Sequence, residues 1–271
     1  MLSQRVKAAL IFVPLVLILI YFGGWVFNLF ILAVLLIAAM EFSRLFTRMG
    51  YPTSLTLILL GVALFILHRW VFNNQHLDIL LSFLLFLAVI IALIQYESGK
   101  EDPGISFVIN LGIILYLGWG GSFFIPFRAL PNGRGWMLTA LPVTWLADMG
   151  AYFLGRWLGQ SKMAPRLSPG KTWAGLAGGV VTAIISGVLL ILLWRALGFL
   201  PSATPLWQGA LMGLVLSTLT PLGDLLISLF KRTAGAKDTG KIIPGHGGIL
   251  DRIDTWLWGA MLGYYLVLLF S

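Results

Sequence analysis

The sequence predicts an all-α, polytopic integral membrane protein. Of its 271 residues, 59% are apolar and only 10% are charged, and the mean hydropathy is +0.95. Soluble proteins carry about 25% charged residues because their surfaces face water, so this chain has too few charges to cover a soluble globule. The apolar residues form runs of about 20, the length that a helix needs to cross a bilayer core. A membrane β-barrel would show short alternating segments instead.

About nine apolar runs follow one another, and each is long enough for a transmembrane helix. The first follows Arg5 and Lys7 and is similar to a signal peptide. No small-residue cleavage site followed by a soluble domain comes after it, so we interpret it as a retained helix. The sixth and eighth runs are interrupted by polar residues and glycines. The predicted spans are 6–23, 25–46, 54–73, 78–96, 105–127, 136–156, 172–197, 206–230 and 252–270.

The distribution of basic residues predicts that the N-terminus is cytoplasmic. In that orientation 14 of the 18 Lys and Arg residues fall on the cytoplasmic side, as the positive-inside rule requires. The net charge of +8 is then explained by topology and by contact with anionic lipids, and we predict no binding of nucleic acid. The chain has no cysteine, which excludes disulfides and thiolate metal sites.

The two halves of the chain differ in where polar residues occur. Residues 1–130 are predicted to form a transmembrane scaffold, in which Glu41 and Arg44 are interpreted as a pair at the end of the second helix. Residues 131–271 are predicted to form the catalytic region. They contain two longer polar segments on the cytoplasmic side, at 156–171 and 231–252, and loops on a rigid scaffold often carry function.

Three acidic residues in the C-terminal region predict a cation site. Asp224 lies inside an apolar span, where an unpaired carboxylate costs about 2.5–3.5 kcal/mol or more, so a cation or a base must offset it. Ser228 follows one turn later on the same helix face. Asp251 and Asp254 share a face at the start of the last span. Carboxylates that converge from two helices favour Mg²⁺, which takes one or two of them together with water and phosphate oxygens.

Basic and glycine residues surround these acids. Acids for a cation beside bases for an anion indicate a metal–phosphate site; the alternative is a basic loop that only fixes topology. His246 lies between glycines, which allow a backbone to approach phosphate closely, so it is either a ligand-contacting or catalytic residue or an ordinary turn residue. The other residues concerned are Lys231, Arg232, Lys237, Lys241, Arg252, Gly247 and Gly248.

The segment from Ser168 to Thr172 is a second candidate for substrate contact. Its Gly-Lys-Thr run is not a P-loop, because a proline stands where the first glycine should be and no strand precedes it. We interpret it as a turn leading into a helix N-terminus, with Ser168 and Thr172 as hydroxyl donors and Lys171 as a charge for phosphate. Asp148, inside the sixth span, is either a ligand or a structural partner for Arg156 or Lys171.

The run from residue 228 to residue 254 carries a family resemblance. Its 27 residues include Phe-Lys-Arg at 230–232, Lys-Asp at 237–238 and Pro-Gly-His-Gly-Gly-Ile-Leu-Asp-Arg-Ile-Asp at 244–254. This run resembles the signature of phosphatidate cytidylyltransferases, or CDP-diacylglycerol synthases. The segments around Glu41, Asp148, Lys171 and Asp224 are also similar to family segments. Ala174 departs from it, because many relatives carry an acidic or amide residue there.

The resemblance implies a reaction of phospholipid biosynthesis, in which CTP and phosphatidate give CDP-diacylglycerol and pyrophosphate. The lipid phosphate attacks the α-phosphorus of CTP with Mg²⁺ bound, and a second cation is a further expectation. The resemblance also implies a homodimer in the inner membrane, with the active site facing the cytoplasm. The implied metal ligands are Asp224, Asp251 and Asp254; the catalytic residues are Lys237, Asp238, His246 and Arg252; the substrate-binding residues are Ser168, Lys171, Thr172, Ser228, Lys231, Arg232, Lys241, Gly247 and Gly248.

Two alternatives remain open from the sequence. A polyprenol kinase would share the acids and basic loops but would transfer the γ-phosphate of CTP to a hydroxyl group. A secondary transporter would also place acids inside membrane helices, but transporters are usually built from repeats, and the chain shows no clear internal symmetry. The fate of labelled α- and γ-phosphate of CTP separates the two enzymes.

Overall fold

The computed structural model describes residues 13–242 and 247–270 and is almost entirely helical. A π-helical segment at Ile114–Trp119 joins α5 to α6. The helices are α1 (Val13–Phe22), α2 (Gly24–Arg48), α3 (Leu55–Phe72), α4 (Leu77–Glu97), α5 (Pro103–Ile113), α6 (Gly120–Ser122), α7 (Phe124–Ala129), α8 (Gly133–Leu158), α9 (Trp173–Ala196), α10 (Leu206–Leu219), α11 (Pro221–Thr233) and α12 (Leu250–Phe270). The strands β1 (Lys162–Ala164) and β2 (Ser168–Thr172) form an antiparallel hairpin.

The prediction of an all-α, polytopic membrane protein is confirmed. Eight helical spans in the described part of the chain are long and apolar enough to cross a membrane, and they coincide with the last eight predicted spans. The first predicted span, 6–23, lies partly outside the described residues, and its described part is the shorter helix α1. The count of nine and the cytoplasmic N-terminus stay predictions.

The eighth predicted span consists of two helices, α10 and α11, which meet at Thr220 and Pro221. Proline has no N–H for the helical hydrogen bond and its ring clashes with the preceding turn, so α10 ends here and α11 begins. The new helix N-terminus places Asp224 in the first turn of α11.

The described chain forms two compact units, each with contacts of its own. Among the described residues, unit 1 consists of 13–15, 24–126, 230–242 and 247–252, and unit 2 of 16–23, 127–229 and 253–270. These units are defined by contacts, whereas the predicted division at residue 130 separates a scaffold from a catalytic region. That functional division stays a prediction.

Unit 1 has a core of aliphatic and aromatic side chains around Phe65 of α3, Leu84 of α4 and Ile114 of the π-helical segment. Gly61 and Gly118 allow the π-helical segment to lie directly on α3, because a Cβ at Gly61 would stand 2.8 Å from Ile114 and one at Gly118 2.8 Å from Phe65. Small residues serve the same purpose in other membrane helix pairs.

Unit 2 is built on α8, α9 and α10. Helix α9 packs against both α8 and α10, and α8 also contacts α10. Gly187 of α9 and Gly209 of α10 bring the two backbones into direct contact, and Gly213 packs on the backbone of Ala183. This glycine-rich contact lets α9 and α10 pack backbone to backbone.

Candidate active site

Asp251 is the centre of a hydrogen-bonded cluster in unit 1. It lies in the first turn of α12 and is 8% exposed. Its Oδ1 pairs with Lys231 Nζ at 2.7 Å. Its Oδ2 accepts hydrogen bonds from the Thr239 N–H at 2.8 Å, the Thr239 hydroxyl at 3.0 Å and the Gly248 N–H at 3.0 Å. Both oxygens are therefore occupied by groups of this chain.

Two glycines shape the loop that carries these donors. Gly235 (φ +61°) ends α11 in a Schellman motif: the Ala236 N–H donates to the Lys231 carbonyl at 2.8 Å, and the Gly235 N–H donates to the Arg232 carbonyl at 3.1 Å. Gly247 also has a positive φ, of +84°, and a Cβ there would stand 2.8 Å from Asp251 Oδ2. Only glycine satisfies both the conformation and the space at that position.

Glu41 of α2 also belongs to this cluster, which the sequence interpretation does not predict. Its side chain is 1% exposed and accepts hydrogen bonds from the Thr239 hydroxyl at 2.9 Å, the Ile249 N–H at 3.1 Å and the Leu250 N–H at 2.9 Å. The interpretation as a helix-end pair with Arg44 is wrong, because Glu41 is buried against the loop while Arg44 is exposed. The available signal was the single acid of a helix that is apolar over most of its length.

The remaining charged residues of the loop in unit 1 are exposed. Asp238 lies beside Gly247, whose Cβ would stand 3.2 Å from the Asp238 Cβ. The predicted site residue His246 lies outside the described residues. The exposed side chains are Arg232, Lys237, Asp238, Lys241 and Arg252. Four basic side chains of this part of unit 1 are therefore exposed, while Lys231 pairs with Asp251.

Unit 2 contains a second carboxylate–lysine pair. Asp224 Oδ2 lies 2.7 Å from Lys171 Nζ, and these side chains are 32% and 25% exposed. Lys171 also donates to the Pro221 carbonyl at 3.3 Å. That carbonyl belongs to the first residue of α11, so Lys171 joins the hairpin to the start of the helix that carries Asp224.

Asp254 lies close to the start of α11. A Cβ at Gly223 would overlap the Asp254 carbonyl oxygen, so glycine lets α11 and α12 touch backbone to backbone within unit 2. Asp254 is 5% exposed, and its Oδ1 accepts a hydrogen bond from the Thr255 N–H at 2.8 Å. This is a backbone contact, so the predicted convergence of the Asp254 and Asp224 carboxylates stays a prediction.

The segment predicted as a turn before a helix is a β-hairpin followed directly by α9. Strand β2 ends at Thr172, which is the N-cap of α9. Its hydroxyl accepts the Gly175 N–H at 3.0 Å, and the residue is 4% exposed. Gly155 and Gly159 leave room for this hydroxyl. Thr172 therefore caps the helix N-terminus, while Ser168 is half-buried on the same strand.

Two other predicted residues in unit 2 differ in exposure. Ser228 is 7% exposed on α11, and Asp148 is exposed on α8. Lys171, one of the two bases considered for Asp148, forms its ion pair with Asp224.

The donor groups differ in how well they fit a divalent cation. Within residues 13–242 and 247–270, no group of three or more acidic or histidine side chains is arranged to hold a metal. Mg²⁺ needs only one or two carboxylates when water and phosphates complete its shell. Asp224, one-third exposed and bound through one oxygen, fits that description. Asp251 is fully engaged, so its role as a ligand, like that of Asp254, stays a prediction.

Comparison with known proteins supports the resemblance inferred from the signature run. The model of the cytidylyltransferase family matches residues 3–270. A phosphatidate cytidylyltransferase of Brucella suis is 33% identical over 287 aligned positions, which cover 100% of this chain and 94% of the relative. Phosphatidate cytidylyltransferases of Synechocystis and Bacillus subtilis are each 33% identical and are matched over 97% and 98% of their own lengths. The chain is therefore a multi-pass membrane protein of the cytidylyltransferase family.

Proposed function

We propose that this protein is a phosphatidate cytidylyltransferase, which converts CTP and phosphatidate into CDP-diacylglycerol and pyrophosphate. The observation that carries the proposal is full-length similarity to three enzymes of that name. The structure adds a reason: Lys231, Thr239 and Gly248 of the signature run bind Asp251, and other basic side chains of the run are exposed. A reaction between two phosphate compounds needs such charges.

The chemistry is a displacement at phosphorus. A phosphate oxygen of phosphatidate attacks the α-phosphorus of CTP, the bond to the bridging oxygen of the β-phosphate breaks, and pyrophosphate leaves with that oxygen. Enzymes accelerate such transfers mainly by positioning and by neutralising charge. Arg232, Lys237, Lys241 and Arg252 are the residues of unit 1 that we assign to the phosphates, because they are exposed on the loop and its flanking helices.

Bound Mg²⁺ supplies charge neutralisation for the triphosphate and for the leaving pyrophosphate. Asp224 would hold it, because its carboxylate is accessible. Only one partner, Lys171, would have to be displaced from it. Lys171 is then free to turn toward a phosphate. For Asp251 to bind a cation, its Oδ1 would have to release Lys231.

The membrane explains the choice of substrates. Phosphatidate keeps its acyl chains in the bilayer and its phosphate at the interface, while CTP is water-soluble. We propose that the site faces the cytoplasm at the inner membrane and that the enzyme works as a homodimer. The support for the orientation is the excess of Lys and Arg in the two long polar segments.

The test is an assay of the purified protein with phosphatidate and CTP labelled at one phosphate. We expect label from the α-phosphate in the lipid product and label from the γ-phosphate in pyrophosphate, with no product when a chelator removes Mg²⁺. Entry of the γ-phosphate into a polyprenol would show a kinase instead. A lack of label in any lipid at saturating CTP and Mg²⁺ would contradict the proposal.

A further inference from the structure

The acid in α2 accepts hydrogen bonds from the loop before α12 and from the first residue of α12. The three donors to Glu41 are the Thr239 hydroxyl and the N–H groups of Ile249 and Leu250. Among the described residues, Glu41 forms no ion pair. A buried carboxylate without a cation must be stabilised by hydrogen bonds. These three bonds stabilise the buried carboxylate of Glu41.

Two of these bonds cap a helix from outside its own segment. The N–H groups at the start of a helix have no partner within it. Those of Ile249 and Leu250 point to Glu41, and the negative carboxylate also lies at the positive end of the α12 dipole. Glu41 therefore fixes where α12 begins, one residue before Asp251.

The third bond links Glu41 to Asp251 through one hydroxyl group. Thr239 Oγ1 lies 2.9 Å from Glu41 Oε2 and 3.0 Å from Asp251 Oδ2. A hydroxyl has a single proton, so the two carboxylates share it. The chain of contacts continues from Asp251 Oδ1 to Lys231.

Two glycines of the loop pack directly against the same carboxylate. A Cβ at Gly240 would overlap Glu41 Oε1, and one at Gly248 would overlap Glu41 Oε2 and Thr239 Oγ1. The loop thus lies directly on the Glu41 side chain at two points. Thr239 lies midway in sequence between the exposed residues Lys237 and Lys241. The hydrogen bond between Thr239 and Glu41 therefore also positions the two lysine side chains.

We propose that Glu41 is a positioning residue of the active site. It holds residues 237–242 and 247–251 in the arrangement that binds the phosphates of CTP, and it acts through Thr239 and the α12 N-terminus without touching the substrates. The inference rests on the proposed function for its catalytic consequence, while the tether itself is a property of the fold.

The test compares Glu41→Gln with Glu97→Gln, a matched change at an exposed glutamate at the end of α4. Glutamine keeps the size of the side chain but loses one acceptor and the charge. We expect kcat/KM for CTP to fall about 10–100-fold, as for other supporting residues, with the KM for phosphatidate unchanged. Hydrogen exchange of the amides in 237–242 and 247–250 should accelerate. Glu97→Gln should match the wild type in both measurements.

Thr239→Val provides the second measurement and serves if Glu41→Gln does not fold. It should also lower kcat/KM for CTP, and the double variant should be no worse than the poorer single variant, because both changes break one chain of contacts. Additive losses would overturn the proposal, as would wild-type exchange or wild-type kcat/KM in Glu41→Gln. A wild-type protein that makes no CDP-diacylglycerol would instead overturn the proposed function, while hydrogen exchange would still test the tether.

Discussion

The two carboxylate–lysine pairs have the same length and opposite surroundings. Lys171–Asp224 in unit 2 and Lys231–Asp251 in unit 1 both measure 2.7 Å. The first pair is partly exposed, whereas the side chain of Asp251 is only 3% exposed and accepts three further hydrogen bonds. An exposed pair contributes little to stability and exchanges partners easily; a buried pair is costly to break. The difference indicates that Asp224 in unit 2 can exchange its lysine for another partner, whereas Asp251 in unit 1 is a structural anchor.

The largest effect is expected from Asp251→Asn. One amide oxygen cannot replace a carboxylate that accepts from Lys231, Thr239 and Gly248, so the loop loses its anchor and Lys231 loses its counter-charge. We expect CDP-diacylglycerol formation to disappear and the free energy of unfolding to fall by about 3–5 kcal/mol. Thermal unfolding followed by tryptophan fluorescence in detergent measures the second effect. An unchanged Tm would show that Asp251 is not an anchor.

Asp224→Asn should separate activity from stability. We expect turnover to fall at least about 100-fold, because metal affinity is lost, while the free energy of unfolding changes by less than about 1 kcal/mol. Asp78→Asn is the matched control, since Asp78 is an exposed acid in the first turn of α4. Turnover at the wild-type rate in saturating Mg²⁺ would remove Asp224 from the list of ligands.

Replacing each lysine by methionine tests the same contrast from the other side. Lys231→Met leaves Asp251 buried without a cation, and we expect it to cost about 3 kcal/mol of stability. Lys171→Met leaves Asp224 accessible to water, and its cost should stay below about 1 kcal/mol. Lys100→Met, at an exposed position, controls for the loss of charge. Equal shifts in Tm for the two variants would contradict the distinction between the pairs.

The smallest effect is expected at the cap beside Lys171. Thr172→Val removes the hydroxyl that accepts the Gly175 N–H and should destabilise the protein by about 1 kcal/mol, while Thr172→Ser keeps the bond and should match the wild type. If valine is as stable as threonine, the hydroxyl at this position serves something other than the helix.

The sequence predicted the helices well and the tertiary contacts poorly. Eight spans followed from apolar runs, because a bilayer imposes both length and composition on a helix. The eighth span is also predicted to be interrupted, by polar residues and glycines, but the break at Pro221 is not predicted. The contact between Glu41 and the loop was not visible, since 198 residues separate Glu41 from Thr239, and one chain does not reveal which acid meets which loop.

The hairpin was missed for a local reason. Pro169 and Gly170 are typical of turns, so the segment was interpreted as a turn before α9. In the structure Ser168 pairs with Ala164 and Thr172 pairs with Lys162, and the strand leads without a gap into the helix. The candidate residues Lys171 and Thr172 were identified, but their partners depend on contacts that a linear pattern does not contain.

The contact made by Glu41 also sets the order in which the protein can be assembled during synthesis. Its helix leaves the ribosome early, whereas its last donor, Leu250, is 209 residues further along the chain. Until Leu250 has been synthesised, Glu41 cannot form all of its hydrogen bonds. Ordering of the loop is therefore a late event of biogenesis, completed only as the final helix is made.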